Sequence, residues 1–275
     1  MQANTLQMFA LINGVMCCLM SVITFYLRKN YPASIQGLRE WMYSPFLAII
    51  ASLLFSLQEQ VHHYLSMALP NILALLAVSL QLIGVFRFYG VDYRKNLFIL
   101  YFLVALVFFL FTSGRPEFFE FRVAFVSGSA CVLFSIESVL LWRYRATGAA
   151  AKIMLLTCVL LLLVMFMRFS TAWIQGNDSG IFEFNLLQAI YLGSFGFGVL
   201  LLGMGGILLA TEKLHDEMEN LVRHDMLTGA KSRAEIFNIG QYEFGRASRG
   251  GSRFSVVMAD IDHFKSINDN YGHLR

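Results

Sequence analysis

Long apolar runs, broken by short polar ones, dominate the first three quarters of the chain. A helix that crosses a bilayer needs roughly 20 mostly apolar residues. Seven runs meet that need: Thr5–Leu27, Trp41–Leu57, Met67–Tyr89, Leu97–Ser113, Phe121–Trp142, Ile153–Ile174 and Phe184–Ala210. The second and fourth are short. After Ala210 the pattern changes abruptly to TEKLHDEMENLVRHD, where Leu214, Met218 and Leu221 recur at i, i+4 and i+7. Neither Gly nor Pro interrupts the junction, so one continuous helix is expected to leave the membrane. Its short seam of a and d positions suits either pairing with a second copy or lying on its own domain. Asp225 to Gly229 then reads as a turn, and a helix restarts from about Ser232 to Ser248, ending at Gly250-Gly251. Phe254–Ala259 is short, apolar and β-branched, the pattern of a buried strand. The fold expected is mainly α: a polytopic seven-helix membrane bundle over residues 1–210, a signalling helix or linker over 211–223, and an α/β segment over 224–275.

Composition agrees. The chain is 57% hydrophobic and 14% charged, against about 25% charged for a soluble domain. Cys17, Cys18, Cys131 and Cys158 all fall inside apolar runs. None has metal-ligand or disulfide-framework spacing, so they read as small packing residues. The N-terminal MQANTLQMFA has no basic region and no cleavage site follows it, so the first run reads as a span rather than a signal peptide.

Charge gives the orientation. Arg28, Lys29 and Arg39 follow span one, Arg94 and Lys95 follow span three, and Arg143, Arg145 and Lys152 follow span five. The alternate loops carry no excess of basic residues: Arg115 and Arg122 after span four stand beside two glutamates. Basic loops stay on the cytoplasmic side. The N-terminus is therefore expected outside, and the C-terminal tail inside, a bacterial cytoplasmic (inner) membrane.

Ionisable residues within spans are candidate functional groups. Arg87, Glu137 and Arg168 form the candidate membrane sensory set. Glu137 lies nearer the cytoplasmic end and Arg168 nearer the outer face, about 15 Å apart in depth at the α-helical rise. Arg87 is the better expected partner for Glu137. The alternative is that Arg87 snorkels to the interface and Glu137 bonds a neighbouring helix. Asn13 and Gln81 read as interhelical glue. His62 and His63, in an outer loop, are weak candidates for pH sensing. Span seven carries LGSFGFGVLLLGMGG, with Ser194, Gly198 and Gly206 on one face, so close helix packing is expected there, within the bundle or between copies.

The chemistry concentrates at the end. Asp260 and Asp262 follow the expected strand, where ligands bind in open α/β sheets. Carboxylates there suit a hard divalent cation such as Mg²⁺. Lys265 can meet a phosphate as a point charge, and the Asn268 amide can both donate to and accept from a base edge. Spacing alone also fits a solvated loop.

DMLTGAKSR, then FSVVMADIDHFKSINDNYGH, resembles the N-terminal third of the GGDEF domain of membrane-bound diguanylate cyclases. That family shows D-x-L-T-G-L-x-N-R and then D-x-D-x-F-K-x-x-N-D-x-x-G-H. The second block matches throughout, and the first departs at Ala230 and Ser232. The resemblance covers His224 to Arg275. It implies an incomplete nucleotidyl-cyclase-like fragment. In it, Asp260 and the Ile261 carbonyl would hold Mg²⁺ (two ions in a complete domain), and Phe264 and Lys265 would lie against the triphosphate. Asn268 would bond guanine, with Asp269 and His273 shaping the pocket. Asp260 and Lys265 are the implied catalytic residues. The implied reaction condenses two GTP into cyclic di-GMP across a homodimer, formed through the helix after span seven. The family continues past Gly-His to a guanine-contacting Asp and the signature hairpin, neither of which precedes Arg275. These residues alone are therefore expected to be inactive, with a tail held only by local contacts. A dead sensor or scaffold acting by protein interaction stays open as the alternative, and an unrelated transporter or channel more remotely so.

Overall fold

The computed structural model describes residues 2–57, 61–62, 64–144, 148–173, 186–223, 228–250, 253–260, 262–263, 265 and 269. The α-helices are α1 (Gln2–Asn30), α2 (Leu38–Ser56), α3 (Leu69–Phe88), α4 (Lys95–Thr112), α5 (Phe119–Arg143), α6 (Ala149–Ala172), α7 (Leu186–Arg223) and α8 (Arg233–Gly250). A wide π turn, Tyr64–Ala68, leads into α3, and one 3₁₀ turn, Pro116–Phe118, leads into α5. Among the described residues, seven helices are long and apolar enough to cross a membrane. Every expected span has its helix, with ends shifted by a few residues. Two compact units result, Met1–His215 and Asp216–Arg275, and each is described by itself.

Within the first unit α1 packs on α2, α2 on α3, α3 on α5, and α5 on α6. The main core joins Leu38, Trp41, Leu82, Val85, Leu133, Leu141, Met154 and Leu209. Outward faces are apolar too. On α4 alone, Ile99, Leu103, Val107 and Phe111 are all more than half exposed. A soluble protein rarely shows such a belt, whereas hydrocarbon solvates it.

Small residues allow the closest approaches. Gly37 adopts φ 91°, and a Cβ on it would meet the Gly84 carbonyl oxygen. Trp41 lies over Gly84 and donates from Nε1 to the Gln81 carbonyl at 3.2 Å. Helix α7 repeats the device. Gly198 faces Leu161 of α6, Gly203 faces Met20 of α1, and Gly206 faces the Trp41 ring so closely that an added Cβ would lie 2.9 Å from it. The expected packing face of span seven is thus used inside the bundle.

Polar groups finish the helix ends. Arg122 was read as an outer-loop charge, but it is 6% exposed in the first turn of α5. Its Nη1 donates to the carbonyls of Thr112 (2.5 Å) and Arg115 (2.9 Å), satisfying the end of α4. Asn13 Nδ2 donates to the Leu192 carbonyl at 2.9 Å, tying α1 to α7 as expected.

Helix α7 runs unbroken past Ala210, as expected. Thr211 shares a hydrogen bond with the Tyr31 hydroxyl at 3.1 Å. Glu212 Oε1 accepts from the Ala150 N–H at 3.1 Å, a carboxylate at the N-terminus of α6, where the helix dipole favours it. Lys213 Nζ stands 5.1 Å from the Phe88 ring centroid. Beside them, burial pushes the Tyr89 hydroxyl pKa up, and the Glu212 charge adds to the shift. Leu214 packs against the core, while Met218 is 58% exposed.

Candidate functional site

The C-terminal unit is built from local signals. Gly229 takes φ 68°, and the Ala230 N–H donates to Thr228 Oγ1 at 3.3 Å. This left-handed turn is one that glycine adopts freely. Ser232 then caps α8: its Oγ accepts from the Glu235 N–H at 3.3 Å, in a Ser-x-x-Glu start. Arg246 and Glu243 pair at 2.9 Å one turn apart on α8. The helix begins one residue after the expected start and ends at Gly250.

The expected strand does not form. Residues 253–260 have no regular structure, and no strand occurs among the described residues. Val256, Val257 and Met258 are 77%, 89% and 95% exposed. The physical reason is that a strand's N–H and C=O groups pair with a neighbour rather than within the segment. Ile236, Phe237, Tyr242 and Phe244 of α8 are likewise exposed. The apolar pattern is present without a sheet among the described residues to receive it.

Asp260, Asp262, Lys265 and Asp269 are all exposed. His263 turns the backbone at φ 60°. Lys265 and Asp269 are helical, in keeping with a second helix starting there. Ile261, Phe264, Asn268 and His273 lie outside the described residues, as does the Asp225 end of the turn. Among the described residues no group of three His, Cys, Asp or Glu side chains is placed to hold a metal ion. The donor chemistry of Asp260 and Asp262 nevertheless fits a hard divalent cation.

The membrane candidates separate. Arg87 does not pair with Glu137. Its Nη1 lies 2.8 Å from Glu40 Oε1. Helix α2 starts at Leu38, so Glu40 sits in its first turn, level with the end of α3, a loop position by the sequence reading. Glu137 is fully buried, with Cys158 and Gln81 beside it, but neither carboxylate oxygen has hydrogen-bond geometry to them. The Arg168 guanidinium stands 4.7 Å from the Tyr191 ring centroid. His62 stacks on Tyr64 at 5.4 Å, and His63 lies outside the described residues. The four cysteines are free.

Residues 222–275 match the family model described as diguanylate cyclase, GGDEF domain. Over 50 residues the chain is 44% identical to diguanylate cyclase DgcP of Pseudomonas aeruginosa, covering 18% of this chain and 8% of that protein. Over 64 residues it is 38% identical to diguanylate cyclase DosC of Shigella flexneri, covering 22% and 17%. Over 70 residues it is 29% identical to cyclic di-GMP phosphodiesterase NbdA of Pseudomonas aeruginosa, covering 26% and 9%. The matches thus span 8% to 17% of these relatives' lengths. No solved structure matches the chain. The C-terminal segment thus matches the GGDEF family model, and it follows seven helices long and apolar enough to cross a membrane.

Proposed function

We propose that the chain is the membrane-anchored part of a diguanylate cyclase-type signalling protein, with its C-terminal segment in the cytoplasm. The observation that carries this is Asp260-Ile-Asp-His-Phe-Lys through Asn268-Asp269 to Gly272-His273, complete within the family match. In this reading Asp260 and the Ile261 carbonyl hold Mg²⁺, while Phe264 and Lys265 meet the triphosphate. Asn268 reads the guanine edge, and Asp269 and His273 shape that pocket. The 3′-hydroxyl of one GTP attacks the α-phosphate of the other, pyrophosphate leaves, and a second round closes cyclic di-GMP. Bound Mg²⁺ would supply Lewis-acid stabilisation of the phosphoryl charge. Two GTP-bearing copies have to face each other, and the extension of α7, with Met218 exposed, is the proposed pairing element. Domain limits of 1–210, 211–223 and 224–275 fit this division of labour.

The test joins Met1–Lys265 in frame to the remainder of the GGDEF domain of the Pseudomonas cyclase and measures cyclic di-GMP from GTP and Mg²⁺. Activity that Asp260→Ala lowers at least 100-fold supports the reading. A folded graft without activity, or one indifferent to that change, overturns it. The 275 residues alone are expected to yield no product. A reporter enzyme active only outside the membrane, fused after Arg223, is expected to be silent.

A further inference from the structure

A cavity of about 200 Å³ lies inside the bundle, lined from α1, α2, α3, α5, α6 and α7. Phe134, Leu161 and their neighbours make most of its wall apolar. Two polar groups on that wall stand out. Among the described residues no carboxylate lies within ion-pair distance of Arg168, whose guanidinium meets the Tyr191 ring. Gln81 is 5% exposed, its Nε2 makes no hydrogen bond among the described residues, and its amide stands beside Glu137. The other two amides on the wall are engaged: Asn13 donates to the Leu192 carbonyl and Asn71 to the Met67 carbonyl at 2.6 Å.

A guanidinium with no carboxylate in reach among the described residues is costly in a low-dielectric interior. Both Arg168 and Gln81 line the cavity. Their depths follow from the helices. Arg168 is four residues from the end of α6, and Gln81 is twelve residues from the start of α3. These two helix ends lie on the same side of the bundle, so the groups are about 12 Å apart in depth at 1.5 Å per residue. A cavity with a cation near one end, apolar walls and a hydrogen-bond donor deeper in has the usual make-up of a small-molecule site.

We propose that this cavity binds a small amphipathic carboxylate. Its carboxylate pairs with Arg168, and its apolar body runs inward along Leu161 and Phe134, short of the Gln81 amide. An enclosed cavity of about 150 Å³ holds benzene, so this one encloses roughly eight heavy atoms, and its open side leaves room for the end of a longer chain. By the orientation above, the carboxylate end faces the outer side. Binding is independent of the cyclase reading. Only an effect of the ligand on output rests on it.

The experiment measures binding of radiolabelled decanoate to the full chain in a neutral maltoside detergent, with decanol and decylamine as competitors. Saturable binding near one per chain is expected, with both competitors at least tenfold weaker. Arg168→Gln is expected to abolish the preference for decanoate over decanol, and Ala130→Phe, which fills the wall, to abolish binding altogether. Decanol or decylamine competing as well as decanoate itself, or an Arg168→Gln chain with unchanged preference, overturns the proposal. If Arg168→Gln does not fold, the ligand series on the unaltered chain decides alone. Hexanoate and oleate then separate the sources. An optimum at or below decanoate marks a solute from the aqueous side. Affinity still rising to oleate marks a bilayer-borne chain. Either result supports the shared chemistry.

Discussion

Leu82 and Leu141 in the bundle have no exposed surface, while Val257 and Met258 in the C-terminal unit are 89% and 95% exposed. Both pairs are strongly apolar, so hydrophobicity does not separate them. What differs is where their backbone finds its hydrogen bonds. A helix completes its ladder within itself and needs neighbours only for its side chains. A strand needs neighbours for both. The bundle is therefore complete in a way that the segment around Asp260 is not.

That contrast can be broken or sharpened by substitution. The largest effect is expected at Arg122. Arg122→Met leaves the Thr112 and Arg115 carbonyls without their donor in a buried place, a loss of about 2–4 kcal/mol, seen as a lower thermal midpoint in neutral detergent. Gly206→Val comes next. Its Cβ would already press on Trp41 at 2.9 Å, and overpacking of this kind costs about 1–3 kcal/mol. Glu212→Ala removes the acceptor at the start of α6 and should cost about 1 kcal/mol. The smallest effect is expected at Val257→Asp, within about 0.5 kcal/mol in this chain, yet several-fold larger in a graft that completes the sheet. A large effect of Val257→Asp in the unaltered chain would contradict the comparison. Limited proteolysis should likewise cut between Arg253 and Asp260 before any spanning helix, and the first fragments on a gel would show it.

Much of the bundle was legible because a span is a one-dimensional signal: Leu97–Ser113 reads as a helix from its apolar run alone, and α4 forms there. Asn13 was legible as glue because an amide inside hydrocarbon has few other uses. Side-chain pairing was not. Arg87 was matched to Glu137 by depth, but its partner is Glu40. The available clue was that span two begins where span three ends, at one face of the membrane. Arg122 was missed because counting loop charges does not show which carbonyls a charge can reach. In the C-terminal segment the motif was legible residue by residue, and Lys265 and Asp269 are helical. Phe254–Ala259 was read correctly as apolar and β-branched, but pairing is a property of two segments and cannot be read from one.

The three hooks at the exit of α7 bear on how the protein is made. Ala150 waits for Glu212, 62 residues later in the chain, and Tyr31 waits for Thr211, 180 residues later. During synthesis α6 can enter the bilayer with its first turn unfinished, and only residues beyond the last apolar stretch complete it. A nascent chain released at Ala210 would hold every span and still lack its clasps. Each clasp is worth only about 1 kcal/mol, so the few residues after Ala210 trim a bundle whose core is already assembled.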